Sequence, residues 1–324
     1  MGPLGIGLVG LGRHGMRYAR HLLEPLPHVR LVAVSRRDAR EGASFAAEHG
    51  VRFYQDYHKL VEDPEVQAVV VVTPPALARS VCLDGVHAGK PMLIEKPLAP
   101  TGEEARDMVQ AAARGSIPIM TAQTLRFDTS VTALKAARGS VGARQYLVLT
   151  NRVEPRPDQE REASDYAGRG VLLEIGIHLL DLVRFLTGEE VAEVRCELDP
   201  ALSGMPEARA LVSLRTAGGF PCVVDVSRMT AGRVSRAEWV GEHGQISADW
   251  VHHRLQTISG GNVVHEEAVE DRPTVVATIL AFAEALKRGA PMPITGLDGQ
   301  RAVEIADACY LSAKTGEAVQ LSRS

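Results

Sequence analysis

The first 120 residues alternate between short apolar runs and stretches with the periodicity of amphipathic helices. The apolar runs predict strands at Leu4–Val9, Val29–Val34, Val66–Val72, Pro91–Ile94 and Ile117–Met120. The stretches between them predict helices at Arg13–Leu23, Asp38–His49, Pro75–Ala88 and Thr101–Arg114. Strands that are apolar throughout are typical of a parallel sheet covered on both faces. Because crossovers between parallel strands are right-handed, this half of the chain is predicted to form a doubly wound α/β sheet.

The pattern changes after residue 122. A helix (Asp128–Arg138), a strand (Arg144–Arg152) and a strongly apolar helix (Val171–Leu186) lead into a series of strands and two closing helices. These later elements are predicted at Val191–Leu198, Ala208–Arg215, Pro221–Met229, Ser235–Val240, Arg254–Ile258, Thr274–Arg288 and Gly299–Lys314. Since 324 residues correspond to about two domains, we predict domains at 1–122 and 123–324. The second is expected to be an α+β domain with a large, mostly antiparallel sheet.

The composition excludes several classes of protein. With 45% hydrophobic and 23% charged residues the chain resembles an ordinary enzyme and not a disordered protein. Its net charge of −4 predicts neither a nucleic-acid nor a membrane partner. No targeting signal or bilayer-spanning stretch is present, so a cytoplasmic location is expected. The scattered cysteines form no CxxC pair, which predicts reduced thiols and no metal site; they are Cys82, Cys196, Cys222 and Cys309.

A glycine-rich turn follows the first predicted strand and opens the first predicted helix. Its sequence, GLVGLGRHG, places Gly10, Gly12 and Gly15 in a G-x-G-x-x-G frame. The first glycine permits a tight turn, the second lets a pyrophosphate approach the backbone, and the third lets the helix pack closely on the strand. The N–H groups at the helix start would then bind phosphate. In this context the motif predicts a Rossmann dinucleotide-binding domain, although a glycine turn without a ligand would have the same sequence.

The tip of the second strand bears on the choice of dinucleotide. An acid at this position usually binds the 2′-hydroxyl of NAD, but here the residues are Ser35, Arg36 and Arg37. Two guanidinium groups could bind a 2′-phosphate, at about 1.5–3 kcal/mol for each charge-assisted bond. We therefore expect NADP(H) to be preferred, with NAD(H) possible. The alternative is a pair of solvated arginines that Asp38 partly neutralises.

Two other strand ends are predicted to lie at the same edge of the sheet. Glu95, Lys96 and Pro97 follow the PMLI strand directly, which places Lys96 at the carboxyl end where open α/β sheets bind ligands. Thr73 and Pro74 end the preceding strand and are candidates for the wall of a nicotinamide site, although the same turn would serve as an ordinary helix start. Taken alone, a lysine after a buried strand is more often a surface residue.

The helix VLLEIGIHLLDLVRFL carries Glu174, His178 and Asp181 on one face, because their spacing is i, i+4, i+7. Its remaining faces are apolar, so these polar groups must be paired or line a cleft. Hydride transfer from an alcohol needs a group that accepts the hydroxyl proton, and histidine, which titrates at about pH 6.5, suits that task. A lysine ammonium can polarise the same oxygen. The alternative is a core histidine satisfied by its neighbouring acids.

Together these segments resemble the Gfo/Idh/MocA oxidoreductases, the relatives of glucose–fructose oxidoreductase and inositol dehydrogenase. The resemblance covers essentially the whole chain. It rests on GLVGLGRHG, the TPP turn, AGKPMLIEKPLA, GVLLEIGIHLLDLVRFLTG, GEHGQISAD and ADACYLSAKTGEAVQL. It implies that Lys96 and His178 are catalytic. The acid four residues before the histidine, commonly aspartate in the family, is Glu174 here and is implied to contact a substrate hydroxyl.

The resemblance also implies an open sheet in the second domain, whose exposed face usually mediates homodimers or homotetramers, and a sugar, inositol or related polyol as substrate. We predict Lys96, His178 and Glu174 as catalytic residues, and no metal. The residues predicted to contact the cofactor are Gly10, Gly12, Arg13, His14, Gly15, Ser35, Arg36, Arg37, Thr73, Pro74, Glu95 and Lys96.

Three points stay open at the level of sequence. Arginines in and beside the polar stretch before the histidine helix (Arg152, Arg156 and Arg169) could favour an anionic substrate, or could be balanced by Glu154, Asp158 and Glu160. Arg126 and Asp128 lie near the domain junction without an assigned role. The predicted function is an NADP(H)-dependent dehydrogenase or reductase. Its alternatives are a redox-mediated, NAD(P)-dependent glycoside hydrolase and a non-catalytic NADP-binding sensor.

Overall fold

The structure is a computed structural model that describes residues 2–155, 166, 168–199 and 206–322. It contains a six-stranded parallel sheet and a nine-stranded, mostly antiparallel sheet, which confirms the predicted fold class. The chain divides into two compact units. The first comprises the residues up to Gln123 together with Val275–Gln300, and the second comprises Thr124–Thr274 together with the chain from Arg301 onward.

The first unit is a doubly wound sheet with helices between its strands. Its strands are β1 (Leu4–Val9), β2 (Val29–Ser35), β3 (Arg52–Tyr54), β4 (Ala68–Val71), β5 (Met92–Glu95) and β6 (Ile119–Ala122). Its helices before residue 124 are α1 (Arg13–Leu23), α2 (Ala39–His49), α3 (Tyr57–Glu62), α4 (Pro75–His87) and α5 (Gly102–Gly115). The strand order β3-β2-β1-β4-β5-β6 reverses direction between β1 and β4, which is where such sheets bind ligands.

The boundaries of these elements follow from local chemistry. Every residue of β4 and β5 is buried, as expected for strands covered on both faces. Helix α2 begins where the Asp38 carboxylate accepts the Glu41 N–H at 2.9 Å, and it ends at Gly50, whose φ of +66° only glycine adopts readily. The sequence did not reveal β3 and α3, because three-residue and six-residue elements are too short to show a clear periodicity.

The segment Val275–Gln300 belongs to the first unit, whereas the sequence division assigned it to the second domain. Helix α8 (Thr274–Arg288) provides most of it. Behind that helix, Thr295 forms a bridge with Met120, and the Thr121 hydroxyl donates to the Thr295 carbonyl at 3.4 Å. After the second unit, the chain therefore comes back to β6 at the edge of the parallel sheet. Domain boundaries drawn at a single position in the sequence do not detect such a return.

The second unit is built on the nine-stranded sheet, in the order β14-β13-β12-β11-β7-β10-β9-β8-β15. Its strands are β7 (Arg144–Arg152), β8 (Val191–Leu198), β9 (Arg209–Thr216), β10 (Pro221–Ser227), β11 (Val234–Gly241), β12 (Gly244–Asp249), β13 (Arg254–Ser259), β14 (Asn262–Ala268) and β15 (Val319–Gln320). Among the described strands of this sheet, only β7 and β10 pair in parallel. The described part of the unit contains helices α6 (Thr129–Ala137), α7 (Ile177–Thr187) and α9 (Gly296–Thr315), of which α9 begins in the first unit.

Several elements of this unit differ from the sequence expectation, which did not include strands β12, β14 and β15. The helix predicted from Val171 begins with a π-helical turn, Leu172–Gly176, and becomes α-helical at Ile177. Strand β14 was missed because all seven of its residues are exposed, so it has no buried face to produce an alternating pattern.

Candidate active site

The glycine turn lies between β1 and α1, as its sequence predicts. Gly10 has a φ of +99°, and a Cβ atom there would lie 2.2 Å from the carbonyl oxygen of Val72. A Cβ on Gly15 would lie 1.9 Å from the carbonyl oxygen of Gly10. A Cβ on Gly12 would meet no atom within 4 Å among the described residues. The protein's own backbone therefore requires two of these glycines, whereas Gly12 leaves open space at the start of α1.

This open space fits a dinucleotide. Gly12 caps α1 without a side-chain hydrogen bond, and the first turn of the helix carries no acid, so its N–H groups can bind a phosphate. Arg13 and His14 are both exposed on that turn. The Thr73 hydroxyl, just beyond β4, is buried and has no hydrogen-bond partner in the described part of the chain. A polar ligand in the crevice between β1 and β4 would satisfy that hydroxyl.

At the tip of β2 the arginines have different environments. The Arg36 guanidinium donates to the carbonyl oxygen of Leu11 at 2.5 Å and forms an ion pair with Glu41. Its side chain is 27% exposed, whereas Arg37 is exposed and Ser35 is buried. Arg36 therefore lies against the glycine turn, as an adenosine-ribose contact requires, but Glu41 already neutralises its charge.

Glu95 ends β5 and is 8% exposed. Its carboxylate accepts the Tyr18 hydroxyl at 2.6 Å and the backbone N–H of Lys96 at 2.9 Å, and its distance to His14 Nε2 is 2.8 Å. Burial by itself raises the pKa of this carboxyl, but His14, Lys96 and Tyr18 together lower it to about 2. Burial and the neighbouring carboxylate raise the pKa of Tyr18 well above its ordinary value. The ionised Glu95 thus connects α1, through Tyr18 and His14, to the backbone of Lys96.

Lys96 follows β5 at the carboxyl edge of the sheet, and its side chain is partly exposed. Pro74 caps α4, and Pro75 is the first residue of that helix, so the turn after β4 acts as a helix start. The structure thus brings the glycine turn, Thr73 and Lys96 to one edge of the first unit's sheet. Contacts of Thr73, Pro74 and Glu95 with a cofactor stay predictions.

His178, the other residue predicted to be catalytic, lies in the second unit. The π turn and α7 are buried on most sides, while Glu174 and His178 are half-buried, so the helix presents a narrow polar strip. A single π turn inside an α-helix is frequent at functional sites. Asp181, one turn beyond His178, is 1% exposed.

Both carboxylates of this strip are paired with buried arginines. Arg228, which follows β10, binds Glu174 through Nη2 at 2.7 Å and Nε at 3.2 Å. Arg126 binds Asp181 in the same two-point manner at 2.6 and 2.7 Å. Such bidentate pairs fix orientation as well as charge. His178 therefore lies on the helix between two carboxylates that are each held by a guanidinium group.

The arginines before the histidine helix are also paired. Arg152 binds Asp225, and Arg169 Nη1 lies 2.5 Å from Asp307 Oδ1. Glu154 binds Arg233. Three other residues of that polar stretch (Arg156, Asp158 and Glu160) lie outside the described residues.

Sequence reasoning missed Tyr18 and Arg228. Tyr18 lies on α1 three residues after Gly15 and four after His14, but its hydrogen bond to Glu95 spans 77 residues, so no local pattern identifies it. Arg228 lies 54 residues from Glu174, and nothing local in the sequence identifies that pairing. Arg126, which the sequence could not assign, is the partner of Asp181.

The remaining observations concern disulfides, metal sites and membrane-spanning helices. All four cysteines are buried and none is in a disulfide. Across the described ranges, no three His, Cys, Asp or Glu side chains are grouped to hold a metal ion. Within those same ranges, no helix has both the length and the apolar character needed to cross a bilayer.

Comparison with known proteins identifies the family. Residues 4–122 match the model of the oxidoreductase family with an NAD-binding Rossmann fold, GFO/IDH/MocA, and residues 135–247 match the GFO/IDH/MocA C-terminal domain. Inositol 2-dehydrogenase 2 of Saccharopolyspora erythraea is 30% identical over 326 residues, which cover 97% of this chain and 94% of that protein. Myo-inositol 2-dehydrogenase of Thermotoga maritima is 29% identical over 335 residues and 98% of each chain.

Among solved structures, a probable dehydrogenase from Thermotoga maritima superposes with a TM-score of 0.84 at 27% identity, covering 98% of both chains. The predicted resemblance is therefore confirmed over nearly the whole length. This chain belongs to the GFO/IDH/MocA family of oxidoreductases, whose N-terminal domain is an NAD-binding Rossmann fold.

Proposed function

We propose that this protein is an NADP(H)-dependent dehydrogenase that transfers a hydride between nicotinamide and a CH–OH carbon of an inositol, a sugar or a related polyol. The observation that carries the proposal is the glycine turn with open space at Gly12, beside the orphaned Thr73 hydroxyl and the strand end that carries Lys96. The names of the relatives, inositol dehydrogenases at 29–30% identity, support the substrate class.

The residues have distinct roles in the proposed reaction. The bound dinucleotide supplies the hydride acceptor during oxidation. The Lys96 ammonium holds and polarises the reacting oxygen, and neutral His178 accepts the hydroxyl proton as the carbonyl forms. In reduction, protonated His178 returns that proton. Glu174, oriented by Arg228, is placed to accept a hydrogen bond from a neighbouring substrate hydroxyl.

The charges in the second unit favour a neutral substrate. An anionic substrate would need a guanidinium group that is not already neutralised, but Arg152 and Arg169 are paired with Asp225 and Asp307. Arg228 is paired with Glu174. A polyol needs hydrogen-bonding partners and no net positive charge, so we favour a neutral sugar or inositol over a uronate or sugar phosphate.

Preference for NADP(H) over NAD(H) is the second part of the proposal. Ser35, Arg36 and Arg37 occupy the strand tip where an acid would bind the 2′-hydroxyl of NAD. Glu41 competes with a 2′-phosphate for Arg36. Arg36→Asp is expected to lower the NADP/NAD ratio of kcat/KM by about tenfold to a hundredfold, because one charge-assisted bond is lost. Glu41→Ala is expected to raise that ratio, since it frees Arg36. Equal ratios in both variants and in the wild type would contradict the assignment.

A panel of inositols, aldoses and sugar acids, assayed with each dinucleotide, tests the proposed reaction. Net change in NAD(P)H absorbance with a neutral polyol supports the dehydrogenase. Cleavage of a glycoside without net change in the dinucleotide would instead identify the hydrolase, and tight dinucleotide binding without turnover would identify the sensor. Turnover restricted to sugar acids would contradict the neutral substrate class.

We also propose that the protein is a homodimer or homotetramer in the cytoplasm. The outer face of the nine-stranded sheet exposes Tyr146 and Val223, which are 42% accessible each and lie on β7 and β10 at the centre of the sheet. Exposed apolar side chains on a broad sheet suit a symmetric interface. The unbridged, buried cysteines suit a reducing compartment. Light scattering of the wild type and of Tyr146→Arg tests the assembly.

A further inference from the structure

One residue binds three consecutive N–H groups at the start of the helix that carries Glu174 and His178. The Glu207 carboxylate accepts the N–H of Gly170 at 2.8 Å and that of Leu172 at 3.2 Å. The carbonyl oxygen of Glu207 accepts the N–H of Val171 at 2.9 Å. The first N–H groups of a helix have no partner within it and usually turn to water or to a local cap. Here the partner comes from a segment 35 residues later in the sequence.

Tyr310 of α9 completes this cap. Its hydroxyl donates to Glu207 Oε1 at 2.6 Å. The guanidinium group of Arg169 lies 4.7 Å from the centre of the Tyr310 ring and also binds Asp307, one turn earlier on α9. The N–H groups of residues 170–172 are therefore all bound by Glu207, whose carboxylate is held in turn by Tyr310.

The backbone at Gly170 is closely packed against that of Glu207. A Cβ atom on Gly170 would lie 2.1 Å from the carbonyl oxygen of Glu207, so the two backbones are in direct contact. The cap joins the histidine helix to the beginning of β9 and to α9, which are separate elements of the second unit. Because the helix is a stiff rod, a shift at residue 170 would move Glu174 and His178 with it.

We propose that Glu207 and Tyr310 are positioning residues for the reaction, because they hold the start of the helix and so set the placement of Glu174 and His178. This inference rests on the proposed function, since it concerns the turnover of that site. Neither residue needs to touch substrate or cofactor. A misplacement of about 1 Å can cost about a hundredfold in rate, so the effect on kcat should be large relative to the number of bonds removed.

The main test is Glu207→Ala, with Glu189→Ala as the matched control. Glu189 is also a partly buried carboxylate that accepts a backbone N–H, from Gly218 at 3.1 Å, and a hydroxyl, from Thr216. It follows the other end of the same helix. Glu207→Ala is expected to lower kcat by about tenfold to a hundredfold, with the Kd for the dinucleotide unchanged, because the glycine turn belongs to the first unit. Glu189→Ala should leave kcat within about twofold of the wild type for a comparable change in Tm.

Milder variants cover the case in which Glu207→Ala fails to fold. Glu207→Gln keeps an oxygen for one N–H and should recover most of the lost kcat. Tyr310→Phe removes the hydroxyl that donates to the Glu207 carboxylate, and it should reduce kcat without changing the Kd for the dinucleotide. Amide hydrogen exchange gives a readout that needs no substrate. In Glu207→Ala the amides of residues 170–174 should exchange faster than in the wild type, and in Glu189→Ala they should not.

The outcomes separate this inference from the proposed function. If the wild type turns over and both cap variants keep its kcat, or lose no more than Glu189→Ala does, the positioning role is wrong while the proposed function stands. If the wild type has no turnover on any polyol, the proposed function fails, and exchange then decides whether the cap holds the helix. Unchanged exchange at residues 170–174 in Glu207→Ala overturns the inference in either case.

Discussion

Two carboxylates, the buried Glu95 of the first unit and the partly buried Glu207 of the second, perform related tasks in different electrostatic surroundings. Glu95 accepts the backbone N–H of Lys96, and Glu207 accepts N–H groups at the start of the histidine helix. Glu95 also lies beside His14 and Lys96, and its pKa falls to about 2. Glu207 receives its bonds from neutral backbone and phenol groups, so burial outweighs them and raises its pKa.

At Glu207 the hydrogen bonds from neutral groups do not offset the loss of water, so its pKa is raised. At Glu95 the nearby positive charges compensate for the loss of water, and the carboxylate joins the network as a full charge. At Glu207 the partners are dipoles, and the ionised form remains costly. In the second unit, the carboxylates that are paired with a cation lie on the polar strip: Glu174 pairs with Arg228, and Asp181 pairs with Arg126.

The largest expected effects come from removing the predicted catalytic group of each unit. Lys96→Ala and His178→Ala should each lower kcat by about 10²–10⁴-fold, the usual contribution of a positioned acid, base or polarising group. Both should still bind the dinucleotide, because the glycine turn is untouched. Steady-state kinetics and NADPH fluorescence titration measure the two quantities. Lys59→Ala and His243→Ala, at exposed positions, are the matched controls. A normal kcat in either test variant would remove that residue from the reaction.

The buried pair next to His178 gives the next largest effect. Arg228→Met removes a buried guanidinium from the partly buried Glu174, and breaking a buried pair costs about 3–5 kcal/mol. The free energy of unfolding from urea titration should fall by that amount. The double variant Arg228→Met with Glu174→Gln should recover most of the loss, because no buried charge remains. Arg233→Met is the control, since its pair with Glu154 is exposed and worth about 1 kcal/mol or less. Equal losses in both single variants would mean that burial does not distinguish the pairs.

The Glu95 network predicts a dependence of stability on pH. The pKa of this carboxyl is about 2 in the folded protein and 4.5 ordinarily, so its contribution is present above pH 4.5 and disappears as the pH falls toward 2. At about 1.4 kcal/mol for each pH unit, the whole contribution is about 3 kcal/mol. The difference in unfolding free energy between the wild type and Glu95→Gln should therefore shrink by about this amount between pH 5 and pH 2. A difference that stays constant over this range would show that Glu95 does not act as a buried charge.

The sequence predicted the parts of the site that depend on local pattern. Continuous apolar runs predicted the parallel strands, and the context of Gly10, Gly12 and Gly15 predicted the glycine turn, where the surrounding backbone requires Gly10 and Gly15 and leaves open space at Gly12. Lys96 follows its strand as expected. Helical spacing placed Glu174 and His178 on one strip.

What the sequence could not give are pairings between distant segments. The partners of Glu174 and Gly170 lie 54 and 37 residues away and leave no periodic signal. Glu95 is a second example. Its place at the end of a strand predicts a contact with the cofactor, but its bonds to Tyr18 and His14 depend on how α1 packs against β5, which the sequence does not specify. Such pairings depend on tertiary packing, which local propensity does not specify.

The smallest expected effect is the pH dependence of the Glu207 contribution to stability, and it tests the comparison of Glu207 with Glu95 most directly. The pKa of Glu207 is raised in the folded protein, so its contribution to stability is most favourable below its unfolded pKa and declines as the pH rises through the folded value. The groups that face it, Tyr310 and the backbone N–H groups, do not titrate in this range, because burial and the neighbouring carboxylate raise the pKa of Tyr310 far above it.

The difference in unfolding free energy between the wild type and Glu207→Gln should therefore decrease as the pH rises from 4.5 to 7, whereas the difference for Glu95→Gln should increase from pH 2 to 4.5 and then level off. Urea titrations across this range measure both slopes. Because the pKa of Glu207 is raised in the folded protein whereas that of Glu95 is lowered, the two slopes are expected to have opposite signs. Two slopes of the same sign would mean that Glu207 is held as an anion like Glu95, and the two carboxylates would then differ only in location.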